Sequence, residues 1–336
     1  SDSPLSGPAI GTGRVYIGNL NQTLYAIGSD SGEIESTVES SEFESNGYDF
    51  HTPVLLNNHV YARSNREVLK INQNSGGIVK RFNSLFLSGD SEMVIMIGQD
   101  DRVAAYNPAD GTRIWQSDIK PGYGHTYKPV LGEDVVVFGS VSDYVDDPDA
   151  DRDKDTRVFA LDRQTGDKVW DFTPDKFVGR SIGVAFATYA GTVAIADEDG
   201  EIFGVDATEG EVLWRQNIER RGVGTSAPQP TTLDGLFIFA TGDIYAVEAE
   251  NGAIRWTTRP LVGEAAHITN RLPVTNDTVW VPTGDFHEPS NLVNINISGE
   301  IQDEYEFSTP FEKLPAVGNS SFYISHADQT LRKYSK

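Results

Sequence analysis

The chain has no cysteine and only two methionines. Without cysteine there can be no disulfides, no thiolate metal sites and no thiol nucleophiles. No apolar run approaches the roughly 20 residues of a membrane-spanning helix. The 3.6-residue apolar period of an amphipathic helix is absent throughout. Basic residues are scarce: 27 Lys and Arg stand against 50 Asp and Glu, a net charge of −23. Such a chain repels phosphate backbones and anionic lipid surfaces, which removes nucleic acid from the expected partners. The carboxylates are spread along the whole chain and fall mostly in turns, as on the hydrated surface of a protein adapted to high salt. No Gly-rich phosphate loop opens a helix, and no Ser/His/Asp arrangement can be assigned from spacing. No signal-peptide pattern is present, and the start at Ser1-Asp2-Ser3-Pro4 resembles that of an exported protein after leader removal.

One spacing recurs. Ala105 to Trp115, Ala160 to Trp170, Gly204 to Trp214 and Ala246 to Trp256 each run small residue, any residue, polar or acidic residue, three residues, Gly, three residues, Trp. The fullest copy is Ala160-Leu161-Asp162-Arg163-Gln164-Thr165-Gly166-Asp167-Lys168-Val169-Trp170. Weaker copies stand at Ala26 to Gly32, Ile71 to Gly76 and Val293 to Gly299, and the chain stops at Lys336 where an eighth would begin its turn. Eight units divide the 336 residues into 42 each, within the roughly 40–50 residues of a four-stranded propeller blade. Around each copy, short β-branched and aromatic runs alternate with Asp/Gly turns. Thr192–Ala196, Glu201–Asp206 and Val212–Trp214, parted by Asp199-Gly200 and Glu209-Gly210, show the order. Pro8, Pro53, Pro129, Pro230, Pro273 and Pro315 precede these hairpins and are placed to open the innermost strand of a unit, where proline is tolerated. The expected fold is all-β: an eight-bladed β-propeller of four-stranded antiparallel blades, with seven blades as the alternative count, and one domain over 1–336. The last unit lacks an outermost strand, and the segment 1–7 is expected to supply it.

The Ala-x-Asp-x-x-Thr-Gly-x-x-x-Trp unit resembles the tryptophan-docking motif of the pyrroloquinoline quinone (PQQ)-like β-propellers. The likeness covers nearly the whole chain and is most specific in the four middle units. It implies that each Trp packs between neighbouring blades. It decays at Ser36, Lys80 and Asp303, where other units have Trp. One branch of this family consists of quinoprotein dehydrogenases, which bind PQQ and calcium. Those chains are much longer and commonly carry an adjacent cysteine pair, so the missing cysteine argues against PQQ here. The other branch holds non-enzymatic scaffolds, among them the bacterial outer-membrane assembly lipoprotein, and the resemblance favours it. The acidic balance adds the expectation of a haloarchaeal source.

Two places could carry chemistry. The fourth unit holds an insertion, residues 143–155, that stretches its Gly111 to Gly166 spacing to 55. Its alternating Asp147, Asp149, Asp151, Asp153 and Asp155 supply the hard oxygens that Ca²⁺ prefers. Arg152 and Val158 stand where an EF-hand loop has its Gly and its bidentate Glu, so a solvated acidic loop is the alternative. His51, His125 and His267, with Arg180, sit in loops entering the innermost strands, which in a propeller converge on one mouth of the central channel. They are candidates for holding a ligand or a transition metal, or are polar rim residues. Single histidines such as His287 and His326 read as incidental. The motifs that repeat are structural and none concentrates reactive groups. The expected function is therefore a non-catalytic, exported, monomeric scaffold that binds a protein or a small ligand. A metal- or quinone-dependent enzyme using the funnel is the alternative.

Overall fold

The computed structural model describes residues 5–19, 21–40, 51–64, 67–98, 102–119, 128–141, 156–174, 184–220, 227, 229–260, 264–265, 271–284, 289–311 and 313–336. Among them all regular structure is β. By its contacts the chain divides into two compact units. One comprises Ser1–Gln99, Ala105–Arg113 and Ser308–Lys336, the other Asp100–Ala104 and Ile114–Phe307.

In the first unit, β1 (Ala9–Ile10), β2 (Arg14–Gly18), β3 (Thr23–Gly28) and β4 (Ile34–Glu39) form one antiparallel sheet in chain order. A second sheet holds β5 (Val54–Leu56), β6 (His59–Ser64), β7 (Glu67–Asn72), β8 (Ile78–Gly89) and β9 (Val94–Gly98). The 12-residue β8 serves two hairpins: its first half pairs with β7 and its second with β9, with an irregularity between Ser84 and Phe86. β10 (Val103–Tyr106) and β11 (Arg113–Gln116) straddle the division between the units.

The second unit holds four further sheets, each in chain order. The first is β12 (Val130–Leu131), β13 (Val135–Val141), β14 (Thr156–Asp162) and β15 (Lys168–Phe172). The second is β16 (Val184–Tyr189), β17 (Thr192–Asp197), β18 (Glu201–Asp206) and β19 (Val212–Asn217). The third is β20 (Thr231–Leu233), β21 (Leu236–Thr241), β22 (Asp243–Glu248) and β23 (Ile254–Thr258). In the fourth, β24 (Glu264–Ala265) and β25 (Val274–Thr275) both pair with β26 (Thr278–Gly284), followed by β27 (Pro289–Asn296) and β28 (Ile301–Glu306). The last sheet, β29 (Ala316–Val317), β30 (Ser321–Ser325) and β31 (Leu331–Ser335), belongs to the first unit. Each of the six prolines named above is followed directly by the first residue of an edge strand, where its missing N–H costs no ladder bond.

The core is a series of layers between consecutive sheets. Val137, Val158, Trp170, Phe186, Ile195 and Phe203 fill one layer, and Ala194, Ile202, Trp214, Phe237, Phe239 and Val247 fill the next. Because the middle strands are covered on both faces, β17 is buried along its whole length (Thr-Val-Ala-Ile-Ala-Asp). The outer strand β19 buries only its Trp. Burial of this kind stabilises by about 25 cal/mol per Å² of apolar surface, and a single sheet does not obtain it alone.

The recurrent motif sets the joint between sheets. In the fullest copy, Asp162 Oδ1 accepts the amides of Gln164 and Thr165, each at 2.8 Å, and closes the turn. The carbonyl three residues after the small residue then faces the preceding sheet. Trp115 Nε1 donates to Arg163 O (2.8 Å), Trp170 to Ala207 O (2.8 Å), Trp214 to Ala249 O (2.9 Å) and Trp256 to Ile297 O (2.8 Å). The indole lies over the Gly of the same turn. A Cβ on Gly252, whose φ is +74°, would stand 2.5 Å from Trp214 Cε3. That Gly is needed twice, for a left-handed backbone and for the space the ring takes.

Sheets without the outer-strand Trp fill the joint by other means. Tyr61 donates to Pro108 O at 2.9 Å, while Lys70 and Lys80, paired across β7 and β8, donate to Ala109 O and Gly111 O. Arg14 donates to Gln73 O. Lys333 Nζ donates to Ser29 O at 2.9 Å, joined by Tyr323 OH at 3.3 Å, so the last sheet docks on the first within one unit. The expected strand exchange at that joint does not occur for the described part of 1–7. Leu5 bridges Asn19, and the Ser6 amide donates to Gly18 O, so these residues extend the inner edge of the first sheet beside β2. The third strand β31 is the outer strand of its sheet among the described residues.

Two glycines separate the two demands. Gly252→Ala should destabilise by about 2–4 kcal/mol, left-handed strain plus collision with the indole. Gly235→Ala, at φ +83° with nothing within 4 Å of its would-be Cβ, should lose only about 1–2 kcal/mol. Urea unfolding of the two variants measures the difference, and equal losses would show that Trp214 does not press on that turn.

Candidate functional site

Of the candidate ligand and metal residues read from the sequence, only His51 lies within the described set. His125, Arg180, His267, His287 and the Asp147 to Asp155 loop lie outside it. His51 is exposed just before β5, and its amide donates to Arg63 O at 3.0 Å. Arg63, on β6, places its guanidinium 5.3 Å from the centre of the Phe86 ring. Burial pushes that guanidinium down to about 10.

The resemblance to quinoprotein dehydrogenases implies a quinone and a calcium ion. Among the described residues no three His, Asp or Glu side chains converge as a metal's donor set. The chain also has no cysteine to lie against a quinone. The described residues therefore do not fit that pair.

His326, read from the sequence as incidental, is buried. Its Nδ1 lies 2.8 Å from Thr309 O and its Nε2 2.7 Å from Tyr334 OH. A carbonyl can only accept, so Nδ1 carries the proton and Nε2 accepts from the tyrosine. Phe311 meets the imidazole edge-on, and Tyr334 stacks on Phe322 with centroids 5.3 Å apart. Burial holds the imidazole below its ordinary range, and the nearby Arg332 lowers it further, against opposing contributions from the Thr309 carbonyl and Asp328. This neutral histidine ties the segment entering the last sheet to that sheet's outer strand.

A concavity among the described residues lies between the β16–β19 and β20–β23 sheets, with a volume of about 640 Å³, within the range of ligand-sized clefts. Two tight hairpins frame it. Ala190-Gly191 joins β16 to β17, and Asp234-Gly235 joins β20 to β21. Both pairs have positive φ at both positions (43° and 81°, 42° and 83°), the type I′ geometry that matches strand twist and fixes a hairpin tip. Tyr189 and Leu213 present apolar surface to the cleft, and Leu213 is 51% exposed although it adjoins the buried Trp214. Asp206, Asp234, Glu248 and Glu250 surround them, with Arg255 as the one cation of the lining. Asp206 Oδ1 accepts from the Thr208 hydroxyl (2.7 Å) and from the Thr208 and Glu209 amides (2.8 and 2.9 Å). Those bonds, the hydroxyl's first, hold its carboxyl below the usual carboxylate range, so it stays charged at neutral pH.

Residues 154–326 match the family described as Outer membrane protein assembly factor BamB. The chain belongs to that family. It is 25% identical over 292 residues to the outer membrane protein assembly factor BamB of Yersinia pestis, across 72% of this chain and 71% of that protein. It is 24% identical over 213 residues to the quinohemoprotein alcohol dehydrogenase of Comamonas testosteroni. There the likeness takes in 56% of this chain and spans only 27% of the enzyme. The crystal structure of BamB from Moraxella catarrhalis superposes with a TM-score of 0.63 at 15% identity, over 98% of this chain and 96% of that one. With these likenesses the four-stranded antiparallel sheets are those of a β-propeller, and the PQQ-like repeat read from the sequence stands. No helix of the described residues is long and apolar enough to cross a membrane.

His326 gives a pH test. In the unfolded chain a histidine takes up its proton near pH 6.5. In the fold uptake is displaced to lower pH, so the unfolded state binds more protons between the two values. The histidine's contribution to stability is thus complete above about pH 6.5 and is lost as pH falls toward the folded value. Thermal unfolding at pH 7.5 and 5.5 should show the wild type losing roughly a few degrees more than His326→Gln. Parallel losses would mean that the imidazole is not held neutral.

Proposed function

We propose that this chain is a non-catalytic, extracytoplasmic protein-binding scaffold, a single propeller of eight blades over 1–336. The observation that carries the reading is where the recurrent polar chemistry goes. The motif's Asp closes a turn, its Gly makes room for an indole, and its Trp satisfies a carbonyl of the next sheet. None of these groups is left to touch a substrate. The similarity to an outer membrane assembly factor across most of both chains supports the same reading. The similarity to the alcohol dehydrogenase reaches only a quarter of that enzyme. The last sheet's bonds to Ser29 support closure of the ring without a shared strand.

The partner is a protein that meets the exposed loops and clefts, and the chain acts as a monomer. Affinity capture from an envelope extract of the source organism, followed by assay with PQQ, calcium and primary alcohols, tests this. The expected outcome is a reproducible protein partner and no turnover. Quinone absorbance with alcohol-dependent reduction would replace the scaffold with the enzyme.

The surplus of carboxylates adapts the scaffold to high salt. A net charge of −23 is screened over about 3 Å at 1 M salt but over about 30 Å at 0.01 M. Self-repulsion should therefore unfold the chain when salt is withdrawn. Circular dichroism before and after dialysis from about 1 M to about 0.01 M salt should show loss of the β signal. An unchanged spectrum would remove the adaptation.

A further inference from the structure

We propose that the cleft between the β16–β19 and β20–β23 sheets docks a basic segment of a partner protein. An aliphatic side chain of that segment would pack on Leu213 and Tyr189, and its lysines or arginines would lie among Asp234, Glu248 and Glu250. The inference rests on the scaffold reading and names the partner's chemistry.

Three features converge there. The first is shape: a concavity of about 640 Å³ whose rim is two I′ hairpins, so the walls are in place before anything binds. The second is exposed apolar surface within the cleft. Leu213 is 51% and Tyr189 36% exposed, while the leucines of the neighbouring sheet, Leu233 and Leu236, are 3% and 1% exposed. A leucine half in water beside a buried tryptophan loses surface when an apolar side chain covers it, worth about 25 cal/mol per Å². The third is charge. Four carboxylates face one guanidinium in the lining. Asp206 is committed to its own turn, and Glu248 accepts from Asn251 Nδ2 at 2.9 Å. Asp234 is exposed at the tip of one framing hairpin, and Glu250 is exposed in the turn between β22 and β23. An acidic segment would be repelled by this lining, and a purely apolar one would leave the carboxylates around it partly desolvated. A segment alternating basic and aliphatic residues meets both the apolar floor and the acidic rim.

The probe is a fluorescein-labelled Lys-Leu-Lys-Leu-Lys-Leu peptide, titrated by anisotropy with the whole chain at about 0.15 M salt. Variants are Leu213→Ser, the pair Asp234→Asn/Glu250→Gln, and the remote pair Glu33→Gln/Glu39→Gln, each first checked for wild-type thermal unfolding. The wild type should bind. Leu213→Ser and the cleft pair should each weaken binding about tenfold or more, which corresponds to about 1.4 kcal/mol, and the remote pair should change it less than about twofold. A Glu-Leu-Glu-Leu-Glu-Leu peptide should not bind. Equal weakening by the remote and cleft pairs, indifference to Leu213→Ser, or no binding by the wild type would each overturn the cleft as the site. If the envelope partner is still captured by Leu213→Ser, the cleft fails while the scaffold stands. If the peptide binds in the cleft but no partner is captured by the wild type, it is the scaffold reading that fails.

Discussion

Each joint between sheets within a unit turns on one backbone carbonyl. The motif turn leaves that oxygen pointing at the sheet before it, in a layer from which water is excluded. An unpaired buried carbonyl costs about 1–3 kcal/mol, so every joint must bring a donor. An indole N–H answers at Arg163, Ala207, Ala249 and Ile297, a phenol at Pro108 and an ammonium at Ser29. The donor varies while the acceptor stays. Tryptophan is the best filler because it adds a large apolar face to the one polar bond.

The exchange of donors follows strand register. Tyr16, Tyr61 and Tyr323 all sit on the second strand of their sheets, opposite Ala26, Lys70 and Lys333 on the third, so by register Lys70, one residue before the Ile71 read from the sequence, takes the motif's first place. In sheets with an outer-strand Trp the same second-strand place holds Val137, Ala194 or Ile238. A large ring on the second strand and a large ring on the outer strand compete for one volume. Close packing admits one of them. Trp280 shows the same rule where the outer strand has Asp303: it stands opposite Asn294 on the second strand, and Asp303 bonds Asn294.

This register rule marks what the amino-acid sequence could reveal. The turns, the strand runs and the inner-strand prolines were legible because they are local: Asp162 bonds residues two and three ahead, and Pro129 acts on Val130. The substitute donors were not, because Tyr61 and Lys80 belong to one joint only through pairing across β6, β7 and β8. The role of Lys333 was hidden for the same reason, and the missing fourth strand drew attention to the start of the chain instead. His326 looked incidental because its partners, Thr309 and Tyr334, come together only when the last sheet forms. The exposed Leu213 was masked by its neighbour. An apolar residue beside Trp214 reads as core, yet on a strand adjacent side chains point to opposite faces, and the outer strand has nothing beyond it to cover the second face.

That last point connects the joint to function. The outer strands alternate a committed face, carrying Trp, with an uncommitted one, and Ile114, Val169 and Leu213 all occupy the residue before their Trp, at 47%, 41% and 51% exposure. The repeat that builds the joints therefore also leaves an apolar side chain at the edge of three sheets, while Arg255 takes that place before Trp256. Such single residues are ordinary on a protein surface and need no partner. What distinguishes Leu213 is its setting, since a walled cleft, a tyrosine and a set of carboxylates gather round it. A partner that recognised the repeat alone would bind several sheets without discrimination. Selectivity has to come from the turns, where Asp234 and Glu250 vary the charge while Gly235 and Gly252 of the same turns keep the backbone in place.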